Sequence, residues 1–392
     1  MNSTAPIIAP VSGPVSLTPE TRRVLSVDAL RGFDMFWILG ADTLVQALNK
    51  MAGGGNGVFA SLAGLFATQL DHVDWEGFRF YDLIFPLFVF IVGVSIVFSL
   101  SKTVEREGKA GAHKRIWRRF ALLFVIALIY SGGVSREWPD IRLLGVLNRI
   151  ALCYLFASLL FVHFQLRGMI VACVALLAGY WALMTFVPVP GIGAGSFAKG
   201  ANLANWLDEH YLPGKRWDGA WDPEGLLSTL PAIATCLLGV FAGLLLKNTR
   251  VPEQKKVYWL LGSGVAGIVL GFLWGLQFPV VKKIWTSSYV LVAGGFSAIL
   301  LALFHQIIDI WKYQRWATPF IWIGANAITL YLINNIVKLD QLAARFAGGD
   351  VKRFLDTRIT TGAGDLLIAA VVLGLLIWLA AFLYRRKIFL RV

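Results

Sequence analysis

Charge is what this sequence has least of. Only 15% of its 392 residues are Asp, Glu, Lys or Arg, against about 25% in ordinary soluble domains. With 57% hydrophobic residues and a mean hydropathy of +0.67, this excludes a large soluble enzyme, because no single core hides so much apolar surface. Cysteine is scarce as well. Cys153, Cys173 and Cys236 each fall inside an apolar run, at spacings that suit neither a zinc site nor a disulfide framework. They read as packing residues, and no metal is expected. The first 20 residues lack a basic segment ahead of an apolar one, so no cleavable leader is expected. Residues 1–21 read as a disordered cytoplasmic tail, and 22–392 as a single membrane domain.

Apolar runs are abundant. Stretches of about 20 residues recur along the chain, the length that crosses a bilayer. They predict an all-α, polytopic integral membrane protein of about ten transmembrane helices, roughly 24–48, 80–101, 116–133, 142–162, 168–187, 225–247, 257–278, 287–308, 317–338 and 365–385. The net charge of +13 then needs no nucleic acid. Lys and Arg concentrate in alternate connections, "SKTVEREGKAGAHKRIWRR", "KNTRVPEQKK", "WKYQR" and the tail "YRRKIFLRV". Positive-inside orientation places both termini in the cytoplasm and His72 on the opposite side. No internal repeat is evident, which counts against the repeat-built transporter plans.

Ionisable residues inside spans cost about 2.5–3.5 kcal/mol each on insertion scales and are functional candidates for that reason. The first span, "VLSVDALRGFDMFWILGADTLVQAL", carries Asp28, Arg31, Asp34 and Asp42. At about 100° per residue they fall within an arc of roughly 120°, a polar stripe about 21 Å long from Asp28 to Asp42. Asp28 and Arg31 have a simpler reading as a pair at the interface. Asp42 stands alone at the far end and needs a partner. His72 is the nearest candidate, on the next loop, in "LDHVDWEGFRFYD", an acidic stretch that ends at Asp82. In the fourth span Arg149 sits about two turns deep. Asn334 and Asn335 lie near the outer end of the ninth, and Asn326 reads as interhelical glue. The outer stretch "KRWDGAWDPEG" brings Trp217, Trp221, Asp222 and Glu224. His305 reads as a hydrogen-bonded helix residue.

The segments "SVDALRG", "HVDWEGFRFYDLIFPLFVFIVGVSI", "LLGVLNRIALCYL", "WDPEGLLSTLPAIATCLLGVFAG" and "GANAITLYL" resemble, in order and over nearly all of the chain from Arg22, the heparan-α-glucosaminide N-acetyltransferase family. The resemblance implies a transmembrane acyltransferase: acetyl-CoA, a co-substrate supplied from the cytoplasm, passes its acetyl group to the amine of a glucosamine-type acceptor on the other side. It places the catalytic histidine at His72. The family has a functional polar residue at the outer end of its first span; Asn is expected there in the lysosomal members, and this sequence has Asp42. Bacterial members are linked to N-acetylglucosamine use, which implies an inner-membrane location. The lysosomal members carry a large luminal domain ahead of the spans, and its absence here leads to the expectation of a small acceptor.

Acetyl transfer to an amine needs a base, an oxyanion donor and aligned substrates. Imidazole titrates near neutrality, so His72 suits the base, with Asp42 to orient it. Asp82, Arg149, Asn334, Asn335, Trp221 and Glu224 form the candidate substrate-binding set. Asp28, Arg31 and Asp34 are the candidates to line a slot for the donor's pantetheine arm, and the basic residues 102–119 lie at its inner end. The residues leave direct transfer and an acetyl-histidine intermediate both open. They also leave open a sugar or proton-coupled transporter, which would use the same buried charges. The reading includes a lipid bilayer as partner and allows a homodimer.

Overall fold

A computed structural model describes residues 24–53 and 57–389; the tail read over 1–21 lies outside them. The chain is an all-α, polytopic membrane protein. It opens with α1 (Leu25–Phe36), a widened turn over Trp37–Ala41 broken at Gly40, and α2 (Asp42–Ala52). Next come the short α3 (Val58–Gln69), the very long α4 (Phe80–Tyr130), α5 (Val146–His163) and α6 (Leu166–Phe186). A minimal antiparallel hairpin, β1 (Phe197–Ala198) with β2 (Ala201–Asn202), sets Phe197 opposite Asn202 and leads into α7 (Leu203–Tyr211). Then follow α8 (Thr229–Lys247), α9 (Glu253–Gly275), α10 (Ser287–Phe304), α11 (Thr318–Ala325) and α12 (Ala327–Val337). Two short helices, α13 (Leu339–Ala347) and α14 (Gly349–Arg358), precede α15 (Ala363–Arg385).

Among the described residues, α4, α5, α6, α8, α9, α10 and α15 are long and apolar enough to cross a membrane. The pair α11–α12, bent by 69°, makes an eighth crossing if it is one broken span. The expected second and third spans are one element of 51 residues. At about 1.5 Å per residue it would reach roughly 77 Å, more than twice a hydrocarbon core of about 30 Å. Gly108 interrupts it, at φ 69° and ψ −172°, a conformation that disfavours a side chain. The basic connection is otherwise helical rather than a loop, because Lys, Glu, Arg and Ala are strong helix formers in water.

The packing follows the composition of each helix. The first halves of α4 and all of α8 are mostly buried, whereas α6, α9 and α15 expose most of their apolar windows, including Val171, Val174, Trp259, Leu270 and Trp378. α1 crosses α11 in backbone contact: a methyl on Gly32 would lie 1.7 Å from the Phe320 carbonyl oxygen, and one on Gly324 2.0 Å from that of Asp28. Small residues permit this approach.

Several loops are tied together at one end of the bundle. The Gly77 N–H donates to the Val280 carbonyl (2.9 Å), beside an antiparallel bridge between Glu76 and Val281. Arg142 forms another bridge with Gly214. These ties bring residues 72–82, 141–145, 214–224 and 280–286 to one place. From there α10 runs its 18 residues, about 27 Å, to His305 at the other end.

Candidate active site

His72 lies in the loop before α4, and Asp82 is the third residue of that helix. The Asp82 Oδ2 folds back to accept the Arg79 N–H (3.1 Å) and the Val73 N–H (3.3 Å), a capping contact that fixes the loop on the helix start. Its Oδ1 lies 2.9 Å from His72 Nδ1. The carboxylate is only 1% exposed, whereas the imidazole is 47% exposed. In the tautomer that donates Nδ1–H to Asp82, the lone pair is on Nε2.

The sequence pairs Asp42 with His72. The structure gives the hydrogen bond to Asp82 instead, because the start of α4 rather than the end of the first span lies under the ring. Asp42 meets the histidine through Tyr81, whose hydroxyl donates to Asp42 Oδ2 (3.1 Å) and whose ring lies 4.7 Å from the imidazole. A third group was not read from the sequence. Lys282 Nζ sits 3.1 Å from His72 Nε2, 2.9 Å from Nδ1 and 3.5 Å from Asp82 Oδ1. Burial pulls its ammonium below the ordinary lysine range, against the opposing charges of Asp82 and Glu224. The only signal in the sequence was the pair of lysines in "PVVKKIW", between two apolar spans.

His72, Lys282 and Tyr81 border a cavity of about 870 Å³ that descends between α1, α4, α5 and α12. Its mouth is polar, with Arg142, Trp217 and Glu224; its floor is apolar, with Met35, Phe88 and Ile150. A neighbouring cavity of about 690 Å³ holds Asp42, Asn334, Lys338 and Asp340. The two share Tyr81, Tyr130, Tyr331 and Asn335, and the rings of Tyr130 and Tyr331 stack at 4.9 Å.

The wall opposite His72 is an ion-pair cluster. Arg142 donates to Asp222 (2.8 and 2.6 Å) and to Glu224. Burial holds the Glu224 carboxyl above the usual carboxylate range. Asp208 on α7 accepts the backbone N–H groups of Leu226 (2.8 Å) and Asp222 (3.4 Å) behind it. Burial pushes its carboxyl up to about 6 despite those bonds.

Two of the expected substrate contacts stand behind this wall. Arg149 is fully buried; it donates to the Gly225 carbonyl (3.2 Å) and Ser228 Oγ (2.5 Å) and lies 5.0 Å from the Trp285 ring. It braces the turn that presents Glu224. Trp221 is buried edge-on against Trp75. The ring at the cavity mouth belongs to Trp217, 71% exposed, with the Arg142 guanidinium 5.1 Å from its centroid. The aromatic spacing of the stretch could not say which tryptophan turns inward.

Of the stripe on α1 and α2, Asp42 lines a cavity. Asp28, Arg31 and Asp34 line neither cavity. Arg31 contacts Asp28 (3.4 Å), Ser95 Oγ (2.7 Å) and the Gly324 carbonyl (3.4 Å), and Asp34 is fully buried. The close approach of α11 through Gly32 and Gly324 packs this part of the stripe against a neighbouring helix, away from both cavities.

A histidine backed by a buried carboxylate thus stands at the mouth of a cavity sunk among membrane-length helices. Residues 23–269 match the family model described as "Heparan-alpha-glucosaminide N-acetyltransferase, catalytic". The chain belongs to this family and is a membrane-embedded protein of the acetyltransferase type. It is 27% identical to the heparan-alpha-glucosaminide N-acetyltransferase of Mus musculus over 381 residues, covering 82% of this chain and 55% of the mouse protein. The Homo sapiens protein of the same name is also 27% identical, over 336 residues, covering 70% of this chain and 50% of that protein. The chain thus spans about half the length of both relatives. Among the described residues, no group of three or more His, Cys, Asp or Glu side chains is placed to hold a metal ion.

Proposed function

We propose that the protein transfers the acetyl group of acetyl-CoA to the amine of a glucosamine-type sugar, with donor and acceptor meeting at His72. The observation that carries this is the His72–Asp82 pair at the cavity mouth, 2.9 Å between Nδ1 and Oδ1. His72 Nε2 takes the proton that the attacking amine must lose, and Asp82 keeps the ring oriented and supports the imidazolium. The apolar floor suits the donor's acyl and pantetheine end. The polar mouth, with Glu224, Asn335 and Trp217, suits a sugar, and Asp42 holds Tyr81 beneath the imidazole.

On this reading the ten-span topology arises from the eight helical crossings, the division of α4 at Gly108, and the polar first span. Both termini lie in the cytoplasm of a bacterial cell, in a single domain over 22–392 in the inner membrane. The acceptor sits on the periplasmic side, and the donor arrives from the cytoplasm.

The test is release of free CoA from acetyl-CoA when glucosamine is added to purified protein, followed by mass spectrometry of the sugar. In sealed, oriented vesicles, acetyl-CoA on the cytoplasmic face alone should acetylate glucosamine held on the other face. Uptake of intact sugar without CoA release would establish a transporter instead. Reaction only when both substrates share the outer face would end the idea of transfer across the membrane.

A further inference from the structure

We infer that Lys282 is a catalytic residue of this site: it rests against the His72 ring, within 2.9 Å of Nδ1 and 3.1 Å of Nε2, and moves to the thioester carbonyl oxygen as the donor enters, where it stabilises the oxyanion. The inference rests on the acetyltransfer reading and adds a residue and a step to it.

The backbone around Lys282 is unusually well fixed for a connection between spans. Val280 accepts the Gly77 N–H and Val281 bridges Glu76. The Val281 N–H donates to Thr286 Oγ1 (3.1 Å), and the Thr286 N–H returns to the Val281 carbonyl (3.2 Å). Tyr180 donates its hydroxyl proton to the Ile284 carbonyl (2.5 Å). Val280, Val281, Ile284 and Trp285 are buried around it. Such a support holds the base of the side chain still while its four-carbon stem remains free to swing.

Three cations reach the cavity mouth, and the carboxylates sort them. Arg142 is committed to Asp222 and Glu224. Lys283 is bonded to Asp218 (3.0 Å) and lies over Trp221. Lys282 shares its one carboxylate, Asp82, with His72, at the longer distance of 3.5 Å. Its ammonium has three donors and no acceptor. It lies 2.9 Å from Nδ1 and 3.1 Å from Nε2, nearly equidistant and so against the ring rather than on the axis of the Nε2 lone pair; it screens the imidazole until it finds another acceptor. A thioester carbonyl oxygen beside Nε2 is such an acceptor.

The step balances. The amine nitrogen attacks the thioester carbon, a C–N bond forms, and the C=O pair moves onto oxygen, where the Lys282 N–H groups receive it. His72 Nε2 takes the proton from nitrogen. The carbonyl then re-forms, the C–S bond breaks, and the departing thiolate takes the proton from the imidazolium. Lys282 begins and ends protonated.

Two readouts test this on the full-length protein in detergent, with the melting temperature and acetyl-CoA binding as controls for folding. The first is the rate at which diethyl pyrocarbonate modifies His72, followed by peptide mass spectrometry without substrates. Lys282→Gln should raise it severalfold, and Lys282→Arg, which keeps a cationic donor, should leave it near the wild-type rate. The second is steady-state transfer. Lys282→Gln should lower kcat by about 10²–10³-fold, the usual loss for an oxyanion donor, with little change in either KM, and Lys282→Arg should recover part of it. An unchanged modification rate in a folded Lys282→Gln protein overturns the resting contact, and an unchanged kcat overturns the oxyanion role. A wild-type protein that releases no CoA overturns the acetyltransfer reading and the oxyanion role with it, while the modification rate still decides the contact.

Discussion

Two histidines in this molecule sit between acidic groups, at opposite ends of α10, and they are built for different work. His305 places Nδ1 3.1 Å from Asp309 and Nε2 3.0 Å from Glu253. Its side chain is 6% exposed, and Asp309 also accepts the Ser26 N–H at the start of α1 (3.2 Å). Both ring nitrogens are spent on tying α10, α9 and α1 together. His72 sets one nitrogen on a buried carboxylate and lies at the mouth of a cavity, with the Lys282 ammonium against its ring. The comparison teaches that a carboxylate next to a histidine does not mark a base. On the proposed reading, His72 differs in lying at a cavity mouth that a substrate can reach.

The strongest way to break this contrast is to remove each ring in turn. His72→Ala should lower acetyl transfer by about 10²–10⁴-fold, the usual worth of a general base, with little change in melting temperature, because a half-exposed loop side chain carries little packing. His305→Ala should do the opposite: a loss of about 1–3 kcal/mol in stability, from the two hydrogen bonds lost across the junction of α1, α9 and α10, with kcat near wild type. Rates of CoA release and thermal melts of both variants decide it. Wild-type turnover by a folded His72→Ala protein would sink the assignment of the base.

The carboxylates around His72 sharpen the contrast one step down. Asp82→Asn removes the charge behind Nδ1 and should cost on the order of 10²-fold in kcat. Asp42→Asn acts only through Tyr81, and Asn is expected at this position in the lysosomal relatives. It should cost clearly less, and steady-state kinetics on both variants would rank them. Equal losses would mean that Tyr81 transmits more of the orientation than its geometry suggests.

Stability against pH probes the acidic wall opposite His72, where Asp208 stands behind Asp222. The Asp208 carboxyl is raised by burial to about 6, above its ordinary value of about 3.9. Between those values the folded state holds more protons than the unfolded one, so stability falls as pH rises from about 4 to 6. The shift corresponds to about 3 kcal/mol at most. Asp208→Asn should flatten that part of the profile in thermal melts between pH 4 and 7; an unchanged slope would remove Asp208 as its source.

The smallest expected effect concerns the two tryptophans of one loop. Trp217→Ala should raise KM for the sugar acceptor by the worth of an exposed ring contact, about 0.5–1 kcal/mol, and leave stability alone. Trp221→Ala should lower the melting temperature without moving KM beyond that. The reverse pattern would show that the buried ring, not the exposed one, serves the acceptor.

The sequence by itself determined the membrane class, because apolar runs of bilayer length admit few other folds, and it singled out His72 by the charge around it. Its ordered motifs identified the family across nearly the whole chain. The sequence made Asp42 the orienting partner of His72 and Asp82 a substrate contact, whereas the fold sets Asp82 on the imidazole and Asp42 behind Tyr81. Other features were decided only by tertiary structure. Helical periodicity set Asp28, Arg31 and Asp34 on one face with Asp42, but a face becomes a slot only if its neighbour stands off, and Gly32 against Gly324 brings α11 into contact. The choice of Trp217 over Trp221 depended on a loop folding over α7. Lys282 lies 210 residues from His72 in sequence, and no local pattern encodes their meeting. It comes from the strap between Gly77 and Val280, a long-range backbone pairing whose hydrogen bonds are independent of side-chain identity and leave no mark in the residues that make them.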